Sequence, residues 1–231
     1  MDLYETIRRR AMIRSFSSDS IDPGVIDSIL QAALRAPSAG NTGGTSWVVL
    51  EGPAQTFLYW HAVTDETWRA TSARSEGLRR APVILLAYAS AEAYVTRYAE
   101  ADKAGARAVD GSGGGSAAGP AAGSVAGPAA GSVDGPDLGS RAEEWPVPYW
   151  IGDAAFAVMT VLLCAVDAGL GACVLGNFRG ETELARSLAV PDEWRLFCAV
   201  PLGFPDGNDH RSPSLNRAKP DPGQRIHRGG W

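Results

Sequence analysis

Arg35-Ala36-Pro37-Ser38-Ala39-Gly40-Asn41-Thr42 closes one amphipathic helix and leads, through Gly43 and Gly44, into a strand at 46–50. Upstream, Ile26, Ile29, Leu30 and Ala33 recur at helical spacing. Pro37 lacks an N–H and disfavours helical geometry at Ala36, so the helix is expected to stop there. Downstream the chain is loose and polar: Gly40, Gly43 and Gly44 allow close approach of a flat ligand, while Ser38 and Asn41 offer donors and acceptors. Three readings compete for this stretch. The first is a helix C-cap and loop without further role. The second is a nucleophile elbow, because 36–40 imitates G-x-S-x-G; it fails on context, since an elbow runs from strand to helix and this segment runs from helix to strand. The third is a cofactor-binding loop, which gains weight from a basic cluster upstream (Arg8, Arg9, Arg10, Arg14) and another downstream (Arg217, Lys219).

The totals bound these readings. A chain of 231 residues with 45% hydrophobic residues can build one sizeable core, and we read 1–231 as a single domain. A net charge of -5 argues against nucleic acid or an acidic membrane as the main partner, so an anion site has to be a local cluster of Arg and Lys. Cys164, Cys173 and Cys198 lie in apolar runs without C-x-x-C spacing, which suits core packing in a reducing compartment. His61, His210 and His227 are scattered, and no metal site is expected. The segment 1–14 has no apolar signal-peptide core and the apolar run 154–166 is short for a bilayer span, so the expected location is cytoplasmic, with no membrane partner.

Working outward, 2–10 reads as a short helix with Leu3 and Ile7 on one face, and Met12 and Phe16 anchor the extended segment that follows. Arg8 to Arg10 fit a solvated face, whereas Arg14, flanked by apolar residues, is expected to have a partner. Asp22-Pro23 starts the helix that runs to Arg35. The runs 46–51 and 82–89 read as strands, the second apolar throughout and therefore buried. Mostly helix is expected between them, including 65–78 with Trp68 in a packing role; 91–103 is a further helix with Tyr94 and Tyr98 on one face. Residues 105–140 are Gly, Ala, Ser and Pro with two imperfect copies of one octapeptide, a composition that predicts a flexible loop within the domain. Trp145, Tyr149 and Trp150 then form a proline-stiffened aromatic cluster, read either as packing or as a pocket for a planar substrate. The most hydrophobic helix, 151–168, is followed by a buried strand at 172–175, a turn at Gly176-Asn177-Phe178, a helix at 181–188, a strand at 196–202, and a proline-rich tail from 206.

In this order, four pieces make the chain resemble the FMN-dependent nitroreductases: Arg10-Ala11-Met12-Ile13-Arg14-Ser15-Phe16, Ala36-Pro37-Ser38-Ala39-Gly40-Asn41-Thr42, the segment 169–176, and Arg217-Ala218-Lys219-Pro220. The resemblance runs from Thr6 to about Lys219, apart from 105–140. It implies an α+β fold with a central mixed or antiparallel sheet covered by helices, and a homodimer with FMN at the interface. The tail, 206–231, would pack on the partner subunit. Carried over by position, Arg10, Ala11, Met12 and Arg14 with Arg217 and Lys219 would hold the phosphate and the pyrimidine edge. Pro37, Ser38 and Asn41 would line the ring and ribityl chain, and backbone N–H groups at Leu175, Gly176 and Asn177 would face flavin N5. Guanidinium groups suit a phosphate dianion, and a cation near N1 and O2 raises the flavin potential. The implied activity is NAD(P)H oxidation with reduction of a nitroaromatic, quinone or similar planar acceptor by a ping-pong mechanism, with no catalytic acid, base or nucleophile. Two other readings stay open: a flavin-dependent oxidase acting on a natural-product or peptide intermediate, and a flavin-sequestering protein. The chain departs from the family pattern at Gly43-Gly44-Thr45, where Gln-Pro-Trp is usual, at Ala11-Met12, and in the loop 105–140.

Overall fold

A computed structural model describes residues 1–104, 141–209, 213–219 and 221–231. The expected flexible loop at 105–140 lies outside them, as do His210 and Pro220. The fold is α+β, organised on an antiparallel sheet. Its strands are β1 (Thr45–Glu51), β2 (Val83–Ala89), β3 (Gly171–Ala172) and β4 (Arg195–Gly203), in the order β1-β2-β4-β3. The N-terminal segment adds a parallel bridge from Met12 to Ala172. β3 is shorter than the expected strand, but Leu175 and Ala199 still exchange both backbone hydrogen bonds beyond it (2.8 and 3.0 Å).

β2 sits between β1 and β4 and is buried along its whole length. Its side chains split by alternation into two cores. Val83, Leu85 and Ala87 face α2 (Pro23–Ala33) and α8 (Tyr149–Asp167), while Ile84, Leu86 and Tyr88 face α3 (Gly52–Val63) and α9 (Glu181–Ser187). The unbroken apolar run is therefore the mark of a strand covered on both faces, here in an antiparallel sheet.

Local signals account for the helix boundaries. Asp22 caps α2, its carboxylate accepting the Gly24 N–H at 2.7 Å, with Pro23 in the first turn. α2 ends at Ala33, short of Arg35, and unwinds through turns at Arg35 and Ala36 before Pro37. The helix expected at 65–78 is two, α4 (Glu66–Thr71) and α5 (Ser75–Arg79). That expected at 91–103 is likewise broken, into α6 (Ala91–Tyr98) and α7 (Ala101–Ala104). Trp68 packs as expected, stacked on Trp60 of α3 with ring centroids 6.0 Å apart. α8 is apolar on nearly every side, yet this chain covers one side only. Ala154, Ala157, Val158, Val161, Leu162 and Ala165 are buried, whereas Ile151, Phe156 and Met159 are exposed. With 19 residues, α8 is long and apolar enough by length and composition to cross a bilayer; one of its faces is committed to the core.

The chain ends are tied together beside the sheet. Phe16 bridges to Pro205, Ser17 N–H donates to Phe204, and the Arg80 guanidinium pairs with Asp206 at 2.5 Å while donating to the Phe16 carbonyl at 2.9 Å. The Asn208 backbone N–H holds the Asp206 carboxyl below its usual range, helped by Ser15 and Arg80.

Leu85→Ala should destabilise the fold by about 2–5 kcal/mol, read in chemical denaturation, because the site cannot collapse between two packed layers. For Asp206 the depressed folded-state pKa means a contribution present above the unfolded value of about 4 and lost as pH falls through the folded one. The stability gap between wild type and Asp206→Asn should therefore close on acidification in pH-dependent melting; a gap that widened toward low pH would contradict the assignment.

Candidate functional site

Most of the predicted cofactor-binding residues fall into three places, with Arg217 and Lys219 apart from them. The first is a polar cavity of about 230 Å³ lined by Arg14, Ser15, Arg74, Glu76, Arg80 and Asp209, among others. Arg14 comes from the extended segment that pairs with β3, and Arg74 from the break between α4 and α5. Arg80 is committed to Asp206 and Glu76, but Arg14 donates only to the carbonyl of Met12 (3.0 Å), and Arg74 has no ion pair among the described residues. The partner expected for Arg14 is thus a main-chain oxygen, and Arg14 makes no ion pair among the described residues, although the carboxylates of Glu76 and Asp209 line the same cavity. Earlier in the chain, Arg10 has Nη1 buried without a hydrogen-bond partner, while Arg8 and Arg9 are spent on Glu5 at 3.8 and 2.5 Å. Met12 is half-buried against the core and Ala11 is exposed, so neither offers a side-chain donor.

The second place is the turn after β3. Leu175, Gly176 and Asn177 line an aromatic cavity of about 290 Å³ with Tyr59, Trp60, Trp68 and Phe178. Tyr59 O–H donates to Asn177 Oδ1 at 2.8 Å, which orients the amide and leaves its Nδ2 buried and unpartnered. Burial pushes the Tyr59 hydroxyl well above the ordinary phenol range, so it stays a donor. Cys173 is buried in β3's continuation, between Ala172 and Leu175. Burial raises its thiol, and Arg14 pulls in the opposite direction.

The third place is the loop Pro37 to Gly44. Ser38 Oγ accepts the Gly43 N–H at 2.9 Å, and Asn41 is held in the left-handed region (φ 54°) with its side chain exposed. The loop is pinned from two helices. The Ala39 N–H donates to Asp153 of α8 at 2.7 Å, and Arg97 of α6 donates to the Gly40 carbonyl at 2.9 Å. A Cβ on Gly44 would meet the Tyr94 ring at 2.4 Å, and one on Gly40 (φ 65°) would meet Tyr98 at 2.7 Å. Glycine at 44, one of the departures from the family pattern, is therefore required by the ring that lies on it.

Trp145, Tyr149 and Trp150 pack against one another and against Tyr94 and Tyr98, mostly edge to face. Trp150 also lines a cavity of about 530 Å³ with Arg141 and Arg195. Arg217 and Lys219 are exposed and line none of these cavities. Sequence reading missed Arg74, Tyr59 and Asp153. Arg74 was hidden in a stretch read as one polar helix, and Tyr59 on α3, whose apolar residues do not fall on one face. Asp153 did carry a signal, as the one charged residue within the apolar run 150–166. No group of three His, Cys, Asp or Glu suited to a metal occurs among the described residues.

Comparison with known proteins bears on this arrangement. Residues 7–109 and 140–204 match the sequence model of the Nitroreductase family. A Thermus thermophilus protein named NADH dehydrogenase is 33% identical over 92 residues, 40% of each chain. An Archaeoglobus fulgidus relative is 30% identical over 94 residues, 39% of this chain and 52% of its own. The chain thus spans about half or less of the length of the curated relatives it matches. Among solved structures, the nitroreductase CinD from Lactococcus lactis, in complex with nicotinic acid, shares 15% identity with a TM-score of 0.69, covering 99% of this chain and 100% of its own. A nitroreductase family protein from Clostridium novyi NT shares 23% identity with a TM-score of 0.60, covering 91% and 89%. The likeness to these structures establishes the fold, and the match along most of the sequence establishes descent: the chain belongs to the nitroreductase family.

Proposed function

We propose that the protein is an FMN-dependent oxidoreductase that takes electrons from NAD(P)H and passes them to a nitroaromatic, quinone or similar planar acceptor, the two substrates using one pocket in turn. The observation that carries this reading is the cavity where Arg14 and Arg74 are brought together without ion pairs among the described residues, with Glu76 and Asp209 as its acidic lining. Guanidinium groups without ion pairs in a half-buried cavity suit an anion with several acceptor oxygens, and a flavin mononucleotide offers both a phosphate and a polar ring edge. One solved relative, a nitroreductase from Clostridium difficile R20291, is described as FMN-dependent.

In this reading Arg10, Arg14 and Arg74 hold the anionic parts, Ser38 and Asn41 contribute hydrogen bonds along the ring and ribityl chain, and Tyr59 fixes the Asn177 amide at the turn expected to face N5. Arg217 and Lys219 would reach the phosphate from the tail. Bound FMN would supply hydride acceptance and donation, which explains why no acid, base or nucleophile pair is needed among the side chains. The aromatic rings at Tyr149 and Trp150 offer flat surfaces to the acceptor.

We further propose a homodimer with the cofactor at its interface, because neither the Arg14 cavity nor the aromatic cavity at Asn177 is lined by the loop Pro37 to Gly44 of the same chain. The apolar face of Phe156, Met159 and Ile151 on α8, with Leu3, Tyr4 and Ile7 on α1 (Leu3–Arg9), is exposed and suits a second copy. The tail, where Ile226 and Trp231 are exposed, suits packing on the partner. Three free, buried or half-buried thiols fit a reducing cytoplasm.

Purified protein should bind FMN, seen as quenched flavin fluorescence, and anaerobic stopped-flow mixing with NADH or NADPH should bleach the flavin band and name the donor. Bound flavin that neither donor bleaches would overturn the reductase reading in favour of an oxidase or a sequestering protein. Arg14→Ala should weaken FMN binding by about 10- to 100-fold, as expected for one charge-assisted hydrogen bond. Phe156→Glu should turn the dimer into a monomer in sedimentation velocity; an unchanged sedimentation coefficient would exclude this face.

A further inference from the structure

The strongest unexplained polar arrangement is inside the molecule. Asp153 is only 6% exposed, the one charged residue in the apolar run 150–166 of α8, and a single oxygen, Oδ2, accepts both the Ala39 N–H (2.7 Å) and the Tyr94 O–H (2.6 Å). A buried carboxylate is costly, and a neutral apolar residue would serve the core at least as well, so its presence calls for a reason beyond packing. The two bonds join three elements: α8, α6 and the loop Pro37 to Gly44. Tyr94 completes the arrangement by laying its ring on Gly44 while its hydroxyl reaches Asp153, and burial with the Asp153 hydrogen bond raises that hydroxyl out of the titrating range. Arg97 holds the Gly40 carbonyl from the same helix. What these contacts fix is the backbone on either side of Asn41, which sits in the left-handed region that asparagine tolerates better than other side chains.

We infer that Asp153 is a positioning residue: with Tyr94 it clamps the loop Pro37 to Gly44 so that Ser38 and Asn41 are presented to the bound ligand in one fixed geometry. The inference rests on the FMN reading for the identity of that ligand. The clamp acts by preorganisation, since a loop already in its binding conformation loses less entropy when the ligand arrives. Asp153 touches no ligand itself. Its carboxylate is needed as an acceptor, and an amide oxygen at the same place can accept the same two hydrogen bonds.

The test compares wild type, Asp153→Ala, Asp153→Asn and Tyr94→Phe. Two readouts are used: amide hydrogen exchange of the peptide covering 38–44 without ligand, and the FMN dissociation constant from fluorescence quenching. Asp153→Ala should speed exchange in that peptide while leaving β2 protected, and should weaken FMN binding by about tenfold or more. Asp153→Asn should restore both to within about threefold of wild type, a rescue that general destabilisation would not produce, and Tyr94→Phe should fall between. Unchanged exchange in Asp153→Ala overturns the clamp. Faster exchange with unchanged FMN affinity overturns its role in ligand binding. Failure of the wild-type protein itself to bind FMN overturns the cofactor reading, whatever the exchange data say about the loop.

Discussion

The structure depends on covering β2 on both faces. Seven successive residues, Val83 to Ala89, are buried, and their alternation sends one set toward α2 and α8 and the other toward α3 and α9. Everything that bears on the site hangs from these two layers. On one side α8 carries Asp153 to the loop after α2; on the other, α3 carries Tyr59 to the turn after β3. The hydrophobic effect sets the layers, and the few polar groups admitted between them are those that place a loop.

The candidate site is an economy of unpaired donors. Several arginines are held in ion pairs: Arg9 with Glu5, Arg97 with Asp102, Arg179 with Asp65 and Arg80 with Asp206. Arg14 and Arg74 are half-buried in one cavity without an ion pair among the described residues, and Arg10 has its Nη1 buried without a hydrogen-bond partner. An anion with several acceptor oxygens in this cavity, as proposed, would give those guanidinium groups charge-assisted partners.

The loop Pro37 to Gly44 shows how a departure from a family pattern can be a packing solution. At Gly44 the ring of Tyr94 lies where a side chain would stand, and Tyr98 does the same at Gly40, whereas a Cβ on Gly43 would meet nothing and its positive φ of 64° is the reason for glycine there. In return, α6 and α8 supply the hydrogen bonds that the glycines cannot. Loop and helices therefore form one unit, and the rigidity of the loop comes from residues more than 50 positions away in sequence.

The sequence by itself determined the elements whose signal is local: the strand at β2 from its apolar run, the start of α2 from Asp22-Pro23, the stop near Pro37, and the family from four short motifs in order. It also singled out Arg14, because a charge between apolar residues is visible without a fold. Only the tertiary structure decided that Arg74 joins Arg14, that Asn177 is held by Tyr59, and that Asp153 reaches Ala39 across 114 positions. Those facts have no local signature. A hydrogen bond between distant residues is specified by how the layers pack, and periodicity along the chain records which face is buried but not which polar group waits on the other side.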